Sequence, residues 1–294
     1  MKRKIVIRIT GGLGNQFFIY NYYLTLKKKF PECEIRFDNT PYFKLFSNKK
    51  NSFHLKYRIN YVLDLFYKVN YINKFSAKLV YNIGKWNKRY FKNTSLPMLI
   101  TEADLNTDPT LPEKYHYAVI SGHFISSKYL VPDIDPYSKM LELNTEQKQM
   151  LGDIKNKNSV SIHIRGGQYL THSKVILEYA PIQKEYYQKA VEYIKAKIND
   201  PVFYVFTNDP AFSRTILNEE RSTFIFVKDN TEVVDFHLMS NCRHNIIINS
   251  TFSWWAAYLN HSRDKIVIAP EKWSGEVVIN KDYDKLPLDN WIRF

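Results

Sequence analysis

The sequence predicts an α/β protein with two domains, each built around a parallel β-sheet. Three observations support this prediction. Residues 4–38 contain a strand, a glycine turn, a helix and a second strand, which together form a βαβ unit. Strands and helices then alternate regularly over residues 159–269. Between these regions, residues 131–136 contain two prolines and two aspartates and are typical of a loop. We therefore predict domains at residues 1–140 and 141–294.

The predicted first domain starts with the apolar strand KIVIRI, residues 4–9, which runs into the glycine turn. A helix from about Phe17 to Leu26 follows, and three lysines at its end complement the helix dipole. The next strand is EIRFD, residues 34–38. Residues 42–95 are aromatic, basic and nearly free of acids, which indicates a helical insertion. Apolar residues recur in it at helical spacing, at Ile59, Val62, Leu63, Phe66 and Val69. The insertion would either pack on the first sheet or dock on anionic lipid.

The predicted second domain begins with a polar amphipathic helix at residues 143–151. Its predicted strands are residues 159–164, 202–206, 224–227, 245–249 and 265–269. Its other predicted helices are residues 182–198, 211–218, 232–241 and 251–260. This alternation is typical of a doubly wound parallel sheet. Functional residues of such sheets lie at the carboxyl ends of the strands.

Composition limits the classes of function. Hydrophobic residues make up 45% of the 294 residues and aromatic residues 16%, which is enough for a large core. Cys33 and Cys242 are too few for a disulfide framework or a cysteine zinc cluster, and a reducing compartment is expected. No apolar run approaches the ~18–20 residues of a membrane span, and Arg8 interrupts the N-terminal apolar stretch. We expect a soluble cytoplasmic protein without a signal peptide.

Positive charge is concentrated in the first third of the chain. The formal net charge is +13. Residues 1–100 contain 20 Lys or Arg against 4 Asp or Glu, whereas residues 101–294 contain 22 against 25. This asymmetry predicts an anionic partner for the first third: nucleic acid, a membrane surface or a phosphorylated substrate.

The glycine turn GGLGNQ, residues 11–16, follows a strand and opens a helix. Glycines allow close approach of a ligand to the backbone, and a helix N-terminus favours anions. Gly12 and Gly14 also match part of the dinucleotide-binding fingerprint, and Asp38 stands near the position of its ribose-binding acid. Spacing alone leaves three interpretations open: a ligand site, a dinucleotide-dependent oxidoreductase and a plain tight turn.

The motif HIRGGQY, residues 163–169, ends a strand of the second domain. Strand alternation places His163 and Arg165 on the same side. An arginine beside two glycines suits a phosphate or carboxylate, although a structural ion pair would explain it equally well.

Two more strand ends carry polar residues. Asn249, Ser250, Thr251 and Ser253 precede or open a helix, where hydroxyls and N–H groups can bind an anion or simply cap the helix. Trp254 and Trp255 behind them are interpreted as packing residues.

Asp209 follows the strand at residues 202–206. Together with the amide of Asn208, it could contact a base or ribose edge, or the pair could form only a turn before Pro210. The D-x-D strings at 133–135 and 282–284 are attributed to chance, and the scattered histidines predict no metal site.

Taken together, these motifs resemble the inverting α-1,2-fucosyltransferases of bacterial surface-polysaccharide synthesis. That family opens with G-G-L-G-N-Q, matched by residues 11–16. Its central motif, H-x-R-R-G-D-Y, corresponds to residues 163–169, and its N-S-S-F-S-W-W-like motif to residues 249–255. Residues 235–240 resemble its D-x-x-L-M-S, and residues 122–124 its G-Y-F. The motifs span nearly the whole chain in the family's order.

The resemblance implies a GT-B architecture, in which two Rossmann-like domains face a central cleft, with the basic helical insertion in the first domain. It further implies GDP-fucose as donor, a galactose-bearing glycan as acceptor, and neither cofactor nor metal. The chain departs from the pattern at Gly166, where the family has a second arginine, and at Gln168, where it has an aspartate. Arg165 is retained. A different GDP-deoxyhexose donor or a weakened enzyme therefore stays open.

The resemblance also implies roles for individual residues. Arg165 would be the catalytic cation. The donor-binding residues would be His163, Asp209, Ser250, Thr251 and Ser253. The residues facing the sugar and the acceptor would be Gly12, Gly14, Asn15 and Gln16. No general base is identified; His163, Asp38 and Asp104 are candidates.

The basic first domain would fit an acceptor carried on a lipid diphosphate, with the enzyme held at the inner face of an anionic membrane. No nucleic-acid motif is present, so nucleic acid is not the expected partner. The alternatives to a GDP-sugar transferase are an NAD(P)- or flavin-dependent oxidoreductase and a nucleic-acid-binding protein.

Overall fold

The computed structural model describes residues 2–43, 69–131, 141–166, 182–217, 224–275 and 283–294. The chain divides into two compact units, Met1–Met140 and Leu141–Phe294. Several sequence predictions lie outside the described residues. These are the helical spacing over residues 59–66, the D-x-D string at 133–135, Asp282 of the second string, and Gly167, Gln168 and Tyr169 of the central motif.

The described strands of the first unit form one parallel sheet. They are β1 (Lys4–Arg8), β2 (Glu34–Asp38), β3 (Met98–Thr101) and β4 (Tyr117–Ser121), in the order β2-β1-β4-β3. Ile5, Val6 and Ile7 are buried, as expected for a β-branched strand covered on both faces. Arg8 is in register with Asp38 on one side and Ser121 on the other. Strands β1, β2 and β4 therefore end at the same edge of the sheet.

The first unit's helices are α1 (Leu13–Lys29), α2 (Lys74–Trp86), α3 (Glu102–Thr107) and α4 (Leu111–Lys114). A π-helical turn, Asn87–Phe91, continues α2. Short 3₁₀ turns are Thr40–Tyr42 and Ser127–Tyr129. Within the described part of the predicted insertion, residues 74–91 are helical. Val69, which the spacing placed in a helix, lies before α2 in non-helical backbone.

In the second unit, the described strands are β5 (Ser159–Ile164), β6 (Val202–Thr207), β7 (Phe224–Phe226), β8 (His244–Ile246), β9 (Val267–Ala269) and β10 (Ile292–Arg293). They form a parallel sheet in the order β10-β9-β8-β5-β6-β7. Every residue of β5 is buried, because β5 lies between β8 and β6 and helices cover both faces. The predicted parallel α/β fold is confirmed in both units.

The second unit's helices are α5 (Thr145–Asn156), α6 (Lys184–Lys197), α7 (Pro210–Leu217), α8 (Glu232–Asn241) and α9 (Thr251–Tyr258). A 3₁₀ turn spans Tyr283–Lys285. Several predicted bounds need correction. The helix predicted at 143–151 runs from Thr145 to Asn156, and the helix predicted from about Phe17 to Leu26 is Leu13–Lys29. The strand predicted at 245–249 is His244–Ile246, the strand predicted at 265–269 begins at Val267, and the helix predicted at 251–260 ends at Tyr258. None of the described helices is long and apolar enough to cross a bilayer.

Candidate functional site

The carboxyl edge of the second sheet gathers three of the predicted motifs. β5 ends at Ile164, and its two neighbours β6 and β8 end beside it. The segments after these strands carry Arg165, Asp209 and the start of α9. The ring of His163, near the end of β5, lies 5.6 Å from the ring of Phe252 in α9. Residues that are far apart in sequence therefore meet at one edge of one sheet, as the parallel topology requires.

Asn208 connects the ends of β5 and β6. The Gly166 amide donates a hydrogen bond of 3.0 Å to Asn208 Oδ1, and Asn208 Nδ2 donates one of 3.3 Å to the Gly166 carbonyl. The amide side chain thus binds the backbone next to Arg165 through both of its polar atoms. The sequence pattern singled out this amide, with Asp209, as a contact for a base or ribose; its hydrogen bonds to the Gly166 backbone were not visible in the sequence.

The space beside Gly166 is filled by α7 and the residue before it. A Cβ added at Gly166 would lie 2.8 Å from Phe212 Cδ1 and 2.9 Å from Asp209 Cβ. The larger arginine found in the resembling motif would therefore need both neighbours to move. This close contact gives Gly166 a packing reason, independent of any role in ligand binding.

Asp209 is partly committed to the helix that follows it. Its Oδ1 accepts a 3.0 Å hydrogen bond from the Phe212 amide, so Asp209 caps the start of α7. One carboxylate oxygen thus has a structural role, as the cap of α7 and not as a turn before Pro210. The other oxygen, Oδ2, lies on the Gly166 side, 3.2 Å from the Cβ position described above.

His163 is a buried imidazole in this edge. Burial, and secondarily the charge of Arg165, lowers the pKa of His163 to about 3. It is therefore neutral at physiological pH and a weak proton acceptor, which argues against its role as a general base. Its Nδ1 is buried and has no hydrogen-bond partner among the described residues. A buried polar atom without a partner is costly, so a ligand group there would satisfy it.

Arg165 follows β5 directly and is exposed. A guanidinium is a permanent cation that presents several N–H donors in a plane. The structure thus places an accessible permanent cation beside a neutral histidine. That combination suits an anionic ligand that must be held without metal.

The hydroxyl residues at the start of α9 differ in their contacts. Ser250 is the residue before the helix, and its side chain makes no capping hydrogen bond. Ser253 Oγ donates to the Ser250 carbonyl at 3.3 Å and accepts from the Ile248 amide at 3.4 Å. Ser253 is fully buried, so its hydroxyl stabilises the turn in this structure, in contrast to its predicted donor contact. Thr251 opens the helix, whose N-terminal dipole favours anions.

Trp254 and Trp255 lie behind this turn and are fully buried. Trp254 Nε1 donates a 2.9 Å hydrogen bond to the Leu286 carbonyl, and its ring stacks on Tyr258. Their predicted packing role is confirmed.

In the first unit, the position of Gly11 in the glycine turn requires a glycine. Its φ is +84°, and an added Cβ would lie 2.4 Å from Asn15 Nδ2. Gln16 Nε2 and the Tyr42 hydroxyl donate hydrogen bonds to the Gly11 carbonyl, at 3.1 Å and 2.6 Å. The buried Gln16 side chain therefore holds the turn, whereas Asn15 is only partly buried.

The two flanking glycines of the motif have different places. Gly12 precedes α1 with extended backbone, and Gly14 is buried in its first turn. The sequence prediction included Gly11 in the turn but named only Gly12 and Gly14 as ligand-facing glycines, whereas Gly11 is the one with positive φ.

Asp38 is committed to an internal ion pair. Its Oδ2 lies 2.8 Å from Arg8 Nη1, its Oδ1 accepts a 2.9 Å hydrogen bond from the Thr40 amide, and it is 1% exposed. The Arg8 guanidinium also stacks on the Tyr81 ring at 3.9 Å. This carboxylate is thus unsuited both as a ribose-binding acid and as a general base.

Asp104 is similarly occupied. It forms an ion pair with Lys88 and a capping box with Thr101 at the start of α3. Burial raises the pKa of Asp104, but hydrogen bonds from Lys88 and Thr101 outweigh burial and hold the pKa below its usual range. A carboxylate stabilised in its charged form is a poor general base.

A turn at the carboxyl end of β4 was only noted as a motif resemblance. Glu102 Oε2 accepts 3.0 Å hydrogen bonds from the amides of both His123 and Phe124. Phe124 has φ +54°, and its ring stacks on Tyr22 at 3.8 Å. Burial lowers the pKa of His123 to about 4. This turn shares a sheet edge with the glycine turn, since Ser121 and Arg8 are in register.

Of the second D-x-D string, Asp284 is described. Its Oδ1 accepts 2.8 Å hydrogen bonds from the amides of Trp273 and Ser274. That structural role supports the chance interpretation of the string. Within the described residues, no three His, Cys, Asp or Glu side chains lie close enough to hold a metal ion.

Known proteins resemble this chain in sequence and in fold. The family model for glycosyl transferase family 11 matches residues 109–294. The O-antigen biosynthesis glycosyltransferase WbnK of Escherichia coli is 26% identical, over 97% of this chain and 98% of its own. An α-1,2-colitosyltransferase of Escherichia coli is 28% identical, over 98% of both chains.

A solved structure supports the fold. Fucosyltransferase NodZ from Bradyrhizobium matches 88% of this chain and 92% of its own with a TM-score of 0.50, at 12% identity. The similarity identifies the fold as GT-B, as the motif resemblance implied. Because the family model covers the complete second unit and the relatives match nearly the full chain, the oxidoreductase and nucleic-acid alternatives are not supported: the chain is a glycosyltransferase and belongs to glycosyl transferase family 11.

Proposed function

We propose that this glycosyltransferase moves L-fucose from GDP-fucose to the 2-hydroxyl of a galactose residue in a surface glycan, with inversion and without a metal ion. The α-1,2-fucosyltransferase motifs support the fucose donor, and the O-antigen relative supports a surface glycan as acceptor. The observation that carries the proposal is the placement of Arg165, neutral His163 and the start of α9 at one sheet edge.

The chemistry explains why that placement matters. Transfer breaks the bond between fucose C1 and the donor's diphosphate and forms a bond from C1 to the acceptor oxygen. The proton of the acceptor hydroxyl passes to water. Negative charge grows on the departing GDP. Arg165 and the N-terminus of α9 at Thr251 would stabilise that charge, and Ser250 would contribute its hydroxyl. Ser253 would act indirectly, by holding the turn.

His163 and Asp209 would hold the guanosine, His163 through its buried Nδ1 and Asp209 through Oδ2. Asn15 would contact fucose or the acceptor, with Gln16 fixing the turn that presents it. None of the three candidate bases suits proton abstraction in the described conformation. We therefore propose that departure of the stabilised GDP drives the reaction, with little assistance from a base.

A second donor has a specific observation in its favour. One full-length relative is an α-1,2-colitosyltransferase. The chain also has Gly166 where the fucosyltransferase motif has arginine, and its neighbours fill that space. GDP-colitose is thus the alternative donor, with the same α-1,2 linkage.

For the acceptor and the location, we propose a galactose-bearing glycan on a lipid diphosphate, reached at the cytoplasmic face of a membrane. The net excess of 16 positive charges in residues 1–100, from 20 basic and 4 acidic residues, supports attraction to an anionic surface.

Calorimetry without divalent metal tests the donor. The panel is GDP, GDP-fucose, GDP-colitose, UDP and NADH, each with the wild type and with Arg165→Ala. We expect GDP and GDP-fucose to bind and Arg165→Ala to weaken that binding. In a transfer assay with chelator, Arg165→Ala should lower kcat by roughly 10²–10³-fold.

The outcomes separate the alternatives. Transfer from GDP-colitose but not GDP-fucose would replace fucose as the donor sugar. Loss of transfer in chelator, with recovery on adding Mg²⁺, would overturn the metal-independent mechanism. Binding of UDP in preference to GDP would overturn the guanosine assignment.

A further inference from the structure

Helix α2 and the π-helical turn after it carry a surface that the proposed transfer does not use. Five large apolar side chains are exposed there: Phe75 73%, Leu79 61%, Trp86 68%, Tyr90 64% and Phe91 65%. Single exposed apolar residues are ordinary, but five on one short element form a patch of the kind that marks an interaction site. We call these five residues the α2 apolar stripe.

The stripe is accompanied by a basic stripe with the same spacing. Phe75, Leu79, Trp86 and Tyr90 are separated by 4, 7 and 4 positions. Each is directly preceded by a cation, which gives the pairs Lys74–Phe75, Lys78–Leu79, Lys85–Trp86 and Arg89–Tyr90. Such spacing keeps a set of residues on one side of a helix. Two parallel lines, one apolar and one cationic, therefore run along the outward side of α2.

The opposite side of α2 explains why the stripe is not part of the core. Small residues face the sheet: Ala77 is 2% exposed, and a Cβ added at Gly84 would lie 3.0 Å from the Leu99 amide nitrogen. Val80 packs with Val6 and Ile72. The helix thus approaches the sheet closely through its small side, and the large apolar residues are left on the other side.

The end of the element is held rigidly. Asn87 Nδ2 donates hydrogen bonds to the carbonyls of Asn93, at 2.8 Å, and Pro97, at 3.1 Å. The Asn93 amide donates back to Asn87 Oδ1 at 2.8 Å. This side chain fixes the π-helical turn, and with it the positions of Tyr90 and Phe91.

The charge of the surrounding segment indicates which partner binds the α2 apolar stripe. Residues 69–101 contain six Lys or Arg and no Asp or Glu. One of the six, Lys88, is paired with Asp104. The others lie beside the apolar stripe or just after it. Aromatic and aliphatic residues next to a line of lysines match a helix that lies in the interface of an anionic bilayer.

We propose that this face of α2 and its π-helical turn docks on an anionic lipid bilayer, with the apolar stripe at the acyl boundary and the basic stripe on the headgroups. The inference extends the proposed membrane contact by naming the surface that makes it, and it does not depend on which sugar is transferred. Docking here would hold the enzyme where a lipid-linked acceptor is made.

Trp86 provides a direct reporter of docking. The chain has five tryptophans, and the other four are at most 5% exposed. The full chain would be mixed at low salt with vesicles of phosphatidylcholine, with and without phosphatidylglycerol. We expect sedimentation with the phosphatidylglycerol vesicles only, a shift of Trp86 emission to shorter wavelength, and reversal of both by salt.

Matched variants locate the surface. Lys78→Gln with Lys85→Gln should weaken vesicle binding roughly 30-fold, because each lysine near an anionic surface raises the affinity about fivefold. Lys189→Gln with Lys197→Gln, which removes the same charge from exposed positions on α6, should leave it unchanged. Both pairs should bind GDP like the wild type, which shows that they fold and keeps this test separate from that of the donor site.

Four results would overturn the proposal. These are absence of binding to phosphatidylglycerol vesicles, equal weakening by the two lysine pairs, vesicle binding with unchanged Trp86 emission, and a Trp86 shift produced by protein concentration alone. The last would assign the stripe to a contact between two copies of the chain. If GDP binding failed while vesicle binding persisted, the proposed donor would be wrong and the docking surface would stand.

Discussion

Asn208 holds the peptide of Gly166 from both sides, as acceptor for its amide and as donor to its carbonyl, although 42 residues separate them in the chain. The segment that carries Arg165 is therefore fixed by a side chain from the neighbouring strand. Through these backbone contacts, the side chain of Asn208 influences where the cation of Arg165 lies.

Asn208→Ala should consequently impair catalysis by displacing Arg165. We expect kcat/KM for transfer to fall by roughly 10²-fold, the effect of a displacement of about 1 Å at a reacting centre. Steady-state kinetics with varied GDP-sugar measures it. Thr215→Ala, at an exposed position of α7, is the control and should leave kcat/KM unchanged. A wild-type value in Asn208→Ala would show that Arg165 is held by other contacts.

Gly166→Ala tests the packing reason for this glycine. The new methyl group would overlap Phe212 and Asp209, and such overpacking costs about 1–3 kcal/mol of folding free energy. Urea unfolding should show this loss, together with weaker GDP binding because Asp209 must move. An unchanged midpoint would mean that α7 yields easily, and that an arginine could be accommodated here.

Gly11→Ala and Gly152→Ala form a matched pair for the glycine turn. At Gly11, φ of +84° and the contact with Asn15 predict a loss of roughly 2–3 kcal/mol. Gly152 lies within α5 with nothing within 4 Å of an added Cβ, so Gly152→Ala should gain about 0.5–1 kcal/mol through helix propensity. Thermal and urea unfolding measure both, and equal shifts would contradict the assigned role of Gly11.

Asp38→Asn separates structure from ligand binding in the first unit. It leaves Arg8, largely buried, without its charged partner, and we expect a loss of about 2–3 kcal/mol in unfolding free energy. GDP affinity by calorimetry should stay at the wild-type value. A selective loss of nucleotide affinity with unchanged stability would return Asp38 to the list of binding residues.

His123 predicts a pH dependence of stability. Its pKa is about 4 in the folded chain and ordinarily near 6.5, so the unfolded chain binds more protons between these values. With respect to this group, the free energy of unfolding is highest above pH 6.5. It decreases as pH falls towards 4, by about 1–2 kcal/mol between pH 7 and 5. His123→Gln should flatten this part of the unfolding curve, whereas His261→Gln, at an exposed position, should not.

Sequence reasoning identified the elements whose pattern is local. The sequence of β5, SVSIHI, alternates polar and apolar residues as a strand does, and its predicted bounds, residues 159–164, agree with the structure. The short edge strand β10 was missed, because two residues carry no periodicity and their pairing with β9 depends on the whole sheet. β3 and β4 were also missed, because strands and helices do not alternate regularly in that region of the sequence.

In the candidate site, too, local sequence patterns were recognised and tertiary contacts were not. Motif position found Arg165 and His163, because a strand end followed by glycines is visible in sequence. The partners of Asp38 and Asp104 were not visible, since Arg8 comes from another strand and Lys88 from the π-helical turn. Which carboxylates are occupied, and hence unsuited as bases, is decided by tertiary contacts alone.

The strand order of the second unit has a consequence for biosynthesis. β5 is made before both of its neighbours, β6 and β8, and the chain must reach Ile246 before its second edge is covered. A nascent chain on the ribosome therefore presents an apolar strand with open hydrogen-bonding edges, a hazard for intermolecular pairing. Products truncated before β8 should aggregate rather than retain partial activity, and nucleotide binding should arise only late in synthesis, once α9 has emerged.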